Sequence, residues 1–311
     1  MATSLKERIG IKVKLEIQGI IVPILTPMDK RERLNEKEMR AHIERMLDAG
    51  VNGIFCLGTN GEGYALTAGE KRRIIDICVD HVNGRVPVYA GTGCVTTAET
   101  IKLSRYARNA GADALSIITP FFASITQEQL YNHYRAISES VDLPIILYNI
   151  PARTGVTITP ETFSRLIRLS GIVGVKDSSG DADIMLQYID AAKGTGAVVL
   201  SGNDSLILRN LMAGGAGGIA GCANVYPRTV VRIYQAYLSG DMEAAQAAQQ
   251  SLVPLRKCFD YGNPNTVIKA AVQLLGHPVG NCRKPFDGLC PQGMEMLAQV
   301  LKRGMEGEKI R

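Results

Sequence analysis

The sequence predicts a closed (β/α)8 barrel of the TIM-barrel class, with extra C-terminal helices packed on it. Eight short apolar runs alternate with longer amphipathic stretches over most of the chain. The runs are apolar at successive positions, as parallel strands buried on both faces are. The first run passes into Thr26-Pro27-Met28, with none of the glycine-rich phosphate turn that an open, doubly wound sheet carries there.

The runs are residues 19–25, 53–57, 87–90, 114–118, 144–148, 172–175, 197–200 and 216–219. Between them, residues 36–49, 68–82, 97–110, 127–140 and 160–169 repeat apolar side chains at three- and four-residue spacing, the period of a helix with one buried face. Thr67 with Glu70 three places on reads as a capping box, and Gly50, Gly111 and Gly171 stand where helices end in a left-handed residue.

Residues 1–17 form an N-terminal extension whose alternation Ile11-Lys12-Val13-Lys14-Leu15-Glu16 predicts a short, half-exposed strand outside the barrel. Residues 18–224 are the barrel core. Residues 225–311 supply the last barrel helix and a helical extension packed on it. No flexible linker separates these parts, so they read as one domain.

Composition narrows the function. Of 311 residues, 46% are hydrophobic and 21% charged, which supports a large core and excludes disordered and collagen-like chains. Thirty-five Lys and Arg against 30 Asp and Glu leave a net charge of +5, scattered along the chain, with no tryptophan and 5% aromatics. Nucleic acid is therefore not an expected partner. The seven cysteines form no C-x-x-C pair, as in a reduced cytoplasmic chain. No apolar run approaches the roughly 18 residues of a membrane span, and the first ten residues lack a secretion signal.

In such a barrel the chemistry sits at the C-terminal ends of the strands. Lys176 ends the apolar run Ile172-Val173-Gly174-Val175. An ammonium half out of water is disfavoured against the neutral amine, the form that attacks a carbonyl to make a Schiff base. The structural alternative is a lysine paired with Asp177. Tyr148 ends the neighbouring fifth run, within reach of that amine as a proton shuttle, or else as a buried tyrosine with a satisfied hydroxyl.

Gly58-Thr59-Asn60-Gly61-Glu62 follows the second run and can offer backbone N–H groups and the Thr59 hydroxyl to a carboxylate; the alternative for Glu62 is that it only fixes the loop. Gly214-Gly215-Ala216-Gly217-Gly218 enters the eighth strand, where tight packing explains it better than phosphate binding. The four histidines, His42, His81, His133 and His277, end no strand, and there is no H-x-H or HExxH motif, so no metal site is expected. A G-x-S-x-G elbow is also absent.

The Gly58 to Glu62 loop, Tyr148-Asn149-Ile150-Pro151-Ala152-Arg153-Thr154-Gly155 and Gly174-Val175-Lys176-Asp177 together resemble the dihydrodipicolinate synthase/N-acetylneuraminate lyase family. Leu200-Ser201-Gly202-Asn203-Asp204 and Asn263-Pro264-Asn265 fit it too, and the likeness runs from about residue 19 to beyond residue 300. The resemblance implies a class I lyase mechanism: Lys176 forms an imine with pyruvate or another 2-oxo acid, without metal or organic cofactor. It further implies that Thr59 and Asn60 hold the pyruvate carboxylate. Tyr148 and Thr59 would relay protons, Arg153 would meet a second acidic group, and Gly202 and Ile219 would line the pocket. A homotetramer is implied as well.

Within the family, Arg153 in its Ala-Arg-Thr-Gly context resembles the synthases of lysine biosynthesis, which condense pyruvate with aspartate semialdehyde. Thr119-Pro120-Phe121-Phe122 departs from their T-P-Y-Y segment, whose second tyrosine enters the partner subunit's site to complete the relay. That departure favours a 2-keto-3-deoxy sugar-acid aldolase or dehydratase, or a 4-hydroxy-2-oxoglutarate aldolase. The non-enzymatic alternative is a 2-oxo acid binding protein that has lost turnover.

Overall fold

The computed structural model describes residues 15–308. Strands β1 (Gly19–Pro23), β2 (Gly53–Cys56), β3 (Val88–Gly91), β4 (Ala114–Ile118), β5 (Ile145–Asn149), β6 (Ile172–Asp177), β7 (Val198–Ser201) and β8 (Gly217–Ile219) pair in chain order. All pairings are parallel, and β1 closes the barrel by pairing with β8 through Gly19, Ile20 and Ile21.

Each strand is followed by a helix. These are α1 (Glu36–Asp48), α2 (Ala68–Val82), α3 (Thr97–Ala110), α4 (Gln127–Ser140), α5 (Pro160–Leu166), α6 (Ala182–Ala192), α7 (Ile207–Met212) and α8 (Pro227–Leu238). The Thr67 capping box is made: its side chain accepts from the Glu70 N–H while the Glu70 carboxylate accepts from the Thr67 N–H, worth about 1 kcal/mol. Gly111 caps α3 at φ 98°, where a side chain would be strained. Helix α5 stops at Leu166, three residues before the periodic pattern ends; Ile167 and Leu169 leave the helix yet stay packed on the core.

Two apolar layers hold the fold. Ile21, Phe55, Tyr89, Ala114, Ile146, Leu200 and Ile219 fill the barrel, while a larger cluster lies between strands and helices. Full burial of such side chains contributes roughly 1.5–3 kcal/mol each. Of the alternation at residues 11–16, positions 11–14 lie outside the described residues. Leu15 and Glu16 are not in a strand; Leu15 and Ile17 pack against the interior layer while Glu16 and Gln18 face water. The two-residue period is satisfied there by packing on the barrel, without strand pairing.

After α8 come α9 (Met242–Ser251), α10 (Val253–Lys257), α11 (Pro264–Leu274) and α12 (Pro291–Glu308). Val267, Ile268, Ala271 and Val272 of α11 and Leu297 and Leu301 of α12 are buried in the outer layer. No described helix is long and apolar enough to cross a membrane.

Candidate active site

Strands β5 and β6 run on past their apolar stretches, and the register sets Tyr148 opposite Lys176 and Asn149 opposite Asp177. Because side chains alternate along a strand, one pair faces the barrel interior and the other faces out. Asp177 points away from the lysine and accepts from Asn149 Nδ2 at 2.8 Å and from Ser179 Oγ at 2.8 Å. Burial pushes its carboxyl above the usual range, against those hydrogen bonds. Lys176 is therefore not the partner of Asp177.

The Lys176 side chain is 3% exposed. Its Nζ stands 3.9 Å from the centre of the Tyr148 ring and 5.1 Å from that of Phe55, which meets Tyr148 edge to face. Among the described residues no carboxylate lies within ion-pair distance of it. The amine thus sits on an aromatic floor, shielded from bulk water and held by packing.

The Tyr148 hydroxyl and Thr59 Oγ1 share a hydrogen bond of 3.0 Å. The Thr59 loop is held from several sides. Thr26 Oγ1 donates to the Gly61 carbonyl at 2.6 Å, and Asn265 Nδ2 donates to the Thr59 carbonyl at 2.7 Å. Glu62, at φ 55°, is fully buried; one carboxylate oxygen meets Lys269 Nζ at 2.5 Å and the other accepts from the Arg283 N–H at 2.8 Å. Glu62 therefore fixes the loop from behind, and a buried pair of this kind is costly to break on one side only, about 3–5 kcal/mol.

A cavity of about 440 Å³ opens over this floor, lined by Thr59, Tyr148, Arg153, Tyr64, Lys71 and Asn265 among others. Arg153 is exposed, on a single helical turn, Pro151–Thr154. The lining includes two cations, Lys71 and Arg153, and no carboxylate. Its electrostatics suit an acidic small molecule.

Four residues expected at the site are not in the cavity's lining: Lys176, which lies against the Tyr148 and Phe55 rings, and Gly202, Ile219 and Asn60. A Cβ on Gly202 would stand 1.9 Å from Ser178 Oγ and 2.8 Å from Lys176 Cε, so glycine there leaves room for the lysine stem. Ile219 ends β8 inside the barrel, in the same cluster as Phe55. The half-buried Asn60 turns its amide toward Gly221, in the loop after β8.

The Gly214 to Gly218 run serves packing: a Cβ on Gly217 would lie 2.1 Å from the Gly19 carbonyl oxygen, where β8 meets β1. Among the described residues no three His, Cys, Asp or Glu side chains are grouped to hold a metal ion. Phe121 lines the cavity, while Phe122 is 99% exposed with φ 80°.

Sequence reasoning singled out neither Tyr64 nor Lys71 nor the amide of Asn265. Asn263-Pro264 does announce a helix start, with Asn263 capping α11. Nothing local shows that this helix end reaches the barrel mouth.

Comparison with known proteins agrees along nearly the whole chain. Residues 16–303 match the model of the dihydrodipicolinate synthetase family. A 4-hydroxy-tetrahydrodipicolinate synthase of Methanopyrus kandleri is 42% identical over 291 residues, covering 93% of this chain and 96% of that protein. YagE, an Escherichia coli K12 prophage protein of the dihydrodipicolinic acid synthase family solved in complex with pyruvate, superposes with a TM-score of 0.90 at 33% identity, covering 93% and 99% of the two chains. Dihydrodipicolinate synthase of Acinetobacter baumannii, also complexed with pyruvate, gives a TM-score of 0.90 at 34% identity over the same shares, 93% and 99%. With its lysine on an aromatic floor and this match over the barrel and the C-terminal helices, the chain belongs to the dihydrodipicolinate synthetase family.

Proposed function

We propose that this chain is a pyruvate-dependent Schiff-base synthase that condenses pyruvate with aspartate semialdehyde, a step of lysine biosynthesis. The observation that carries the reading is the stacked arrangement of Lys176 Nζ, the Tyr148 ring and the Thr59 hydroxyl. Relatives named as this synthase and neighbours solved with pyruvate support it.

In this reading the neutral Lys176 amine attacks the keto carbon of pyruvate, and water leaves to form the imine. The pyruvate methyl group loses a proton, its electrons flowing toward the imine nitrogen, and the enamine carbon attacks the aldehyde. Tyr148, in contact with Thr59, supplies and removes protons as the carbinolamine forms and collapses. Thr59 and Asn60 take the pyruvate carboxylate, Arg153 takes the carboxylate of the aldehyde, and Gly202 and Ile219 shape the space around the adduct. No cofactor enters this sequence of steps.

Phe122 favours a second reading: the same lysine chemistry applied to 2-keto-3-deoxy sugar acids or 4-hydroxy-2-oxoglutarate, because the synthase relay through a partner's tyrosine has no hydroxyl to use. From the family resemblance we read the assembly as a homotetramer, in which the 99% exposed Phe122 ring would meet a second subunit. Borohydride trapping with pyruvate, followed by product formation on an aldehyde and sugar-acid panel, tests both readings. Wild-type protein should gain a reduced pyruvate adduct and Lys176→Ala should gain none; an adduct on the alanine variant would remove Lys176 from its role. Release of pyruvate from 2-keto-3-deoxygluconate without aspartate semialdehyde condensation would select the second reading.

A further inference from the structure

Asn265 is 3% exposed, lines the cavity, and belongs to α11, outside the eight-stranded barrel. Its Nδ2 donates to the Thr59 carbonyl at 2.7 Å and to the Tyr64 hydroxyl at 3.3 Å. A carbonyl oxygen can only accept, so the amide nitrogen, and not Oδ1, must face Thr59. The Thr59 side chain is in turn bonded to Tyr148 at 3.0 Å. One turn along the same helix face, Lys269 holds Glu62 at the far side of the loop. The Thr59 loop is thus pinned to α11 at two points, and the nearer one is a single hydrogen bond from the residue whose hydroxyl meets Tyr148.

We propose that Asn265 is a positioning residue for the proton relay: by holding the Thr59 carbonyl, it sets where the Thr59 hydroxyl stands against Tyr148. This rests on the Schiff-base reading above. Lys269 and Glu62 secure the loop as a body, whereas Asn265 fixes the backbone orientation of Thr59, the hydrogen-bond partner of the tyrosine hydroxyl among the described residues. Its bond to Tyr64 is the weaker of its two, and Tyr64 is already seated edge to face on Phe286 at 5.3 Å. The C-terminal extension, by this account, shapes the catalytic geometry of the barrel it covers.

The test is a double-mutant cycle on the rate of imine formation with pyruvate, read by stopped borohydride reduction and mass spectrometry. Asn265→Ala should slow the step by about 10- to 100-fold, in line with the cost of about 1 Å of misplacement at a reacting group. In a Thr59→Val background the same change should cost less than about twofold, because the hydroxyl it positions is gone. If Asn265→Ala does not fold, Asn265→Asp, of the same size but with an acceptor facing the carbonyl, replaces it in both arms. Fully additive effects, or a wild-type rate in the single variant, would overturn the proposal. A wild-type protein that traps no pyruvate would instead overturn the Schiff-base reading, so the two failures are told apart.

Discussion

Tyr148 and Lys176 are register partners on adjacent strands, and the amine of one stands 3.9 Å from the ring centre of the other. The ring is therefore separable into two parts: its face packs on the lysine, and its hydroxyl, 3.0 Å from Thr59 Oγ1, is the group we propose to carry protons. Tyr148→Phe removes only the second. Imine formation should slow on the order of 10²- to 10⁴-fold, the range for an acid–base group, with melting temperature nearly unchanged. A wild-type trapping rate would exclude the hydroxyl from the mechanism.

Gly202 leaves space for the lysine stem, since an added Cβ would lie 2.8 Å from Lys176 Cε and closer still to Ser178 Oγ. Gly202→Ala must push one of them aside. Because the serine hydroxyl can rotate and the buried lysine stem has little room, turnover should fall by roughly tenfold or more while the protein still folds. Steady-state kinetics beside a thermal melt would check this; loss of stability without loss of turnover would assign Gly202 to packing alone.

The barrel was legible because its strands are buried on both faces and its helices on one, so the two periods alternate cleanly along the chain. Lys176 and Tyr148 were legible because each is a polar residue closing an apolar run, although both strands continue past them, to Asp177 and Asn149. The side chains of Asn149 and Asp177 bond each other behind the sheet, a tertiary contact that no local pattern carries. Asn265 was visible only as part of the Asn263-Pro264-Asn265 motif; its bond to Thr59 was hidden for the same reason, since that partner lies 206 residues away. Of the alternation at residues 11–16, only Leu15 and Glu16 are described: they lie outside any strand, with Leu15 on the side that packs against the barrel interior.

Glu70 links the start of α2 to the segment that holds Glu62. Its carboxylate accepts from both terminal nitrogens of Arg283, at 3.0 and 2.7 Å, and these bonds pull its carboxyl down from 4.5 to about 2. A group held below its unfolded value contributes stability that is complete above about pH 4.5 and is lost as the pH falls toward about 2. With the side chain 24% exposed, the contribution is on the order of 1 kcal/mol. Glu70→Gln should lower the denaturation midpoint near neutral pH, and the gap to wild type should narrow on acidification through that window. A gap that stays constant would mean the carboxylate's charge is not what Arg283 uses.

Phe122 stands 99% exposed at φ 80°, a backbone conformation that is uncommon for a bulky side chain. Its neighbour Phe121 faces the cavity, so the segment divides its two rings between the site and the outside. If the outer ring enters a second subunit's site, its para position is where a hydroxyl would extend the chain that now ends at Thr59 and Tyr148. Phe122→Tyr leaves the backbone and the packing surface alone and adds only that hydroxyl. Condensation with aspartate semialdehyde should then rise by about tenfold, the lower part of what a proton-transfer group supplies, while pyruvate release from a sugar acid should change little. Equal turnover of the wild-type and Phe122→Tyr proteins with aspartate semialdehyde would mean that protons reach Thr59 by another route, with water as the carrier.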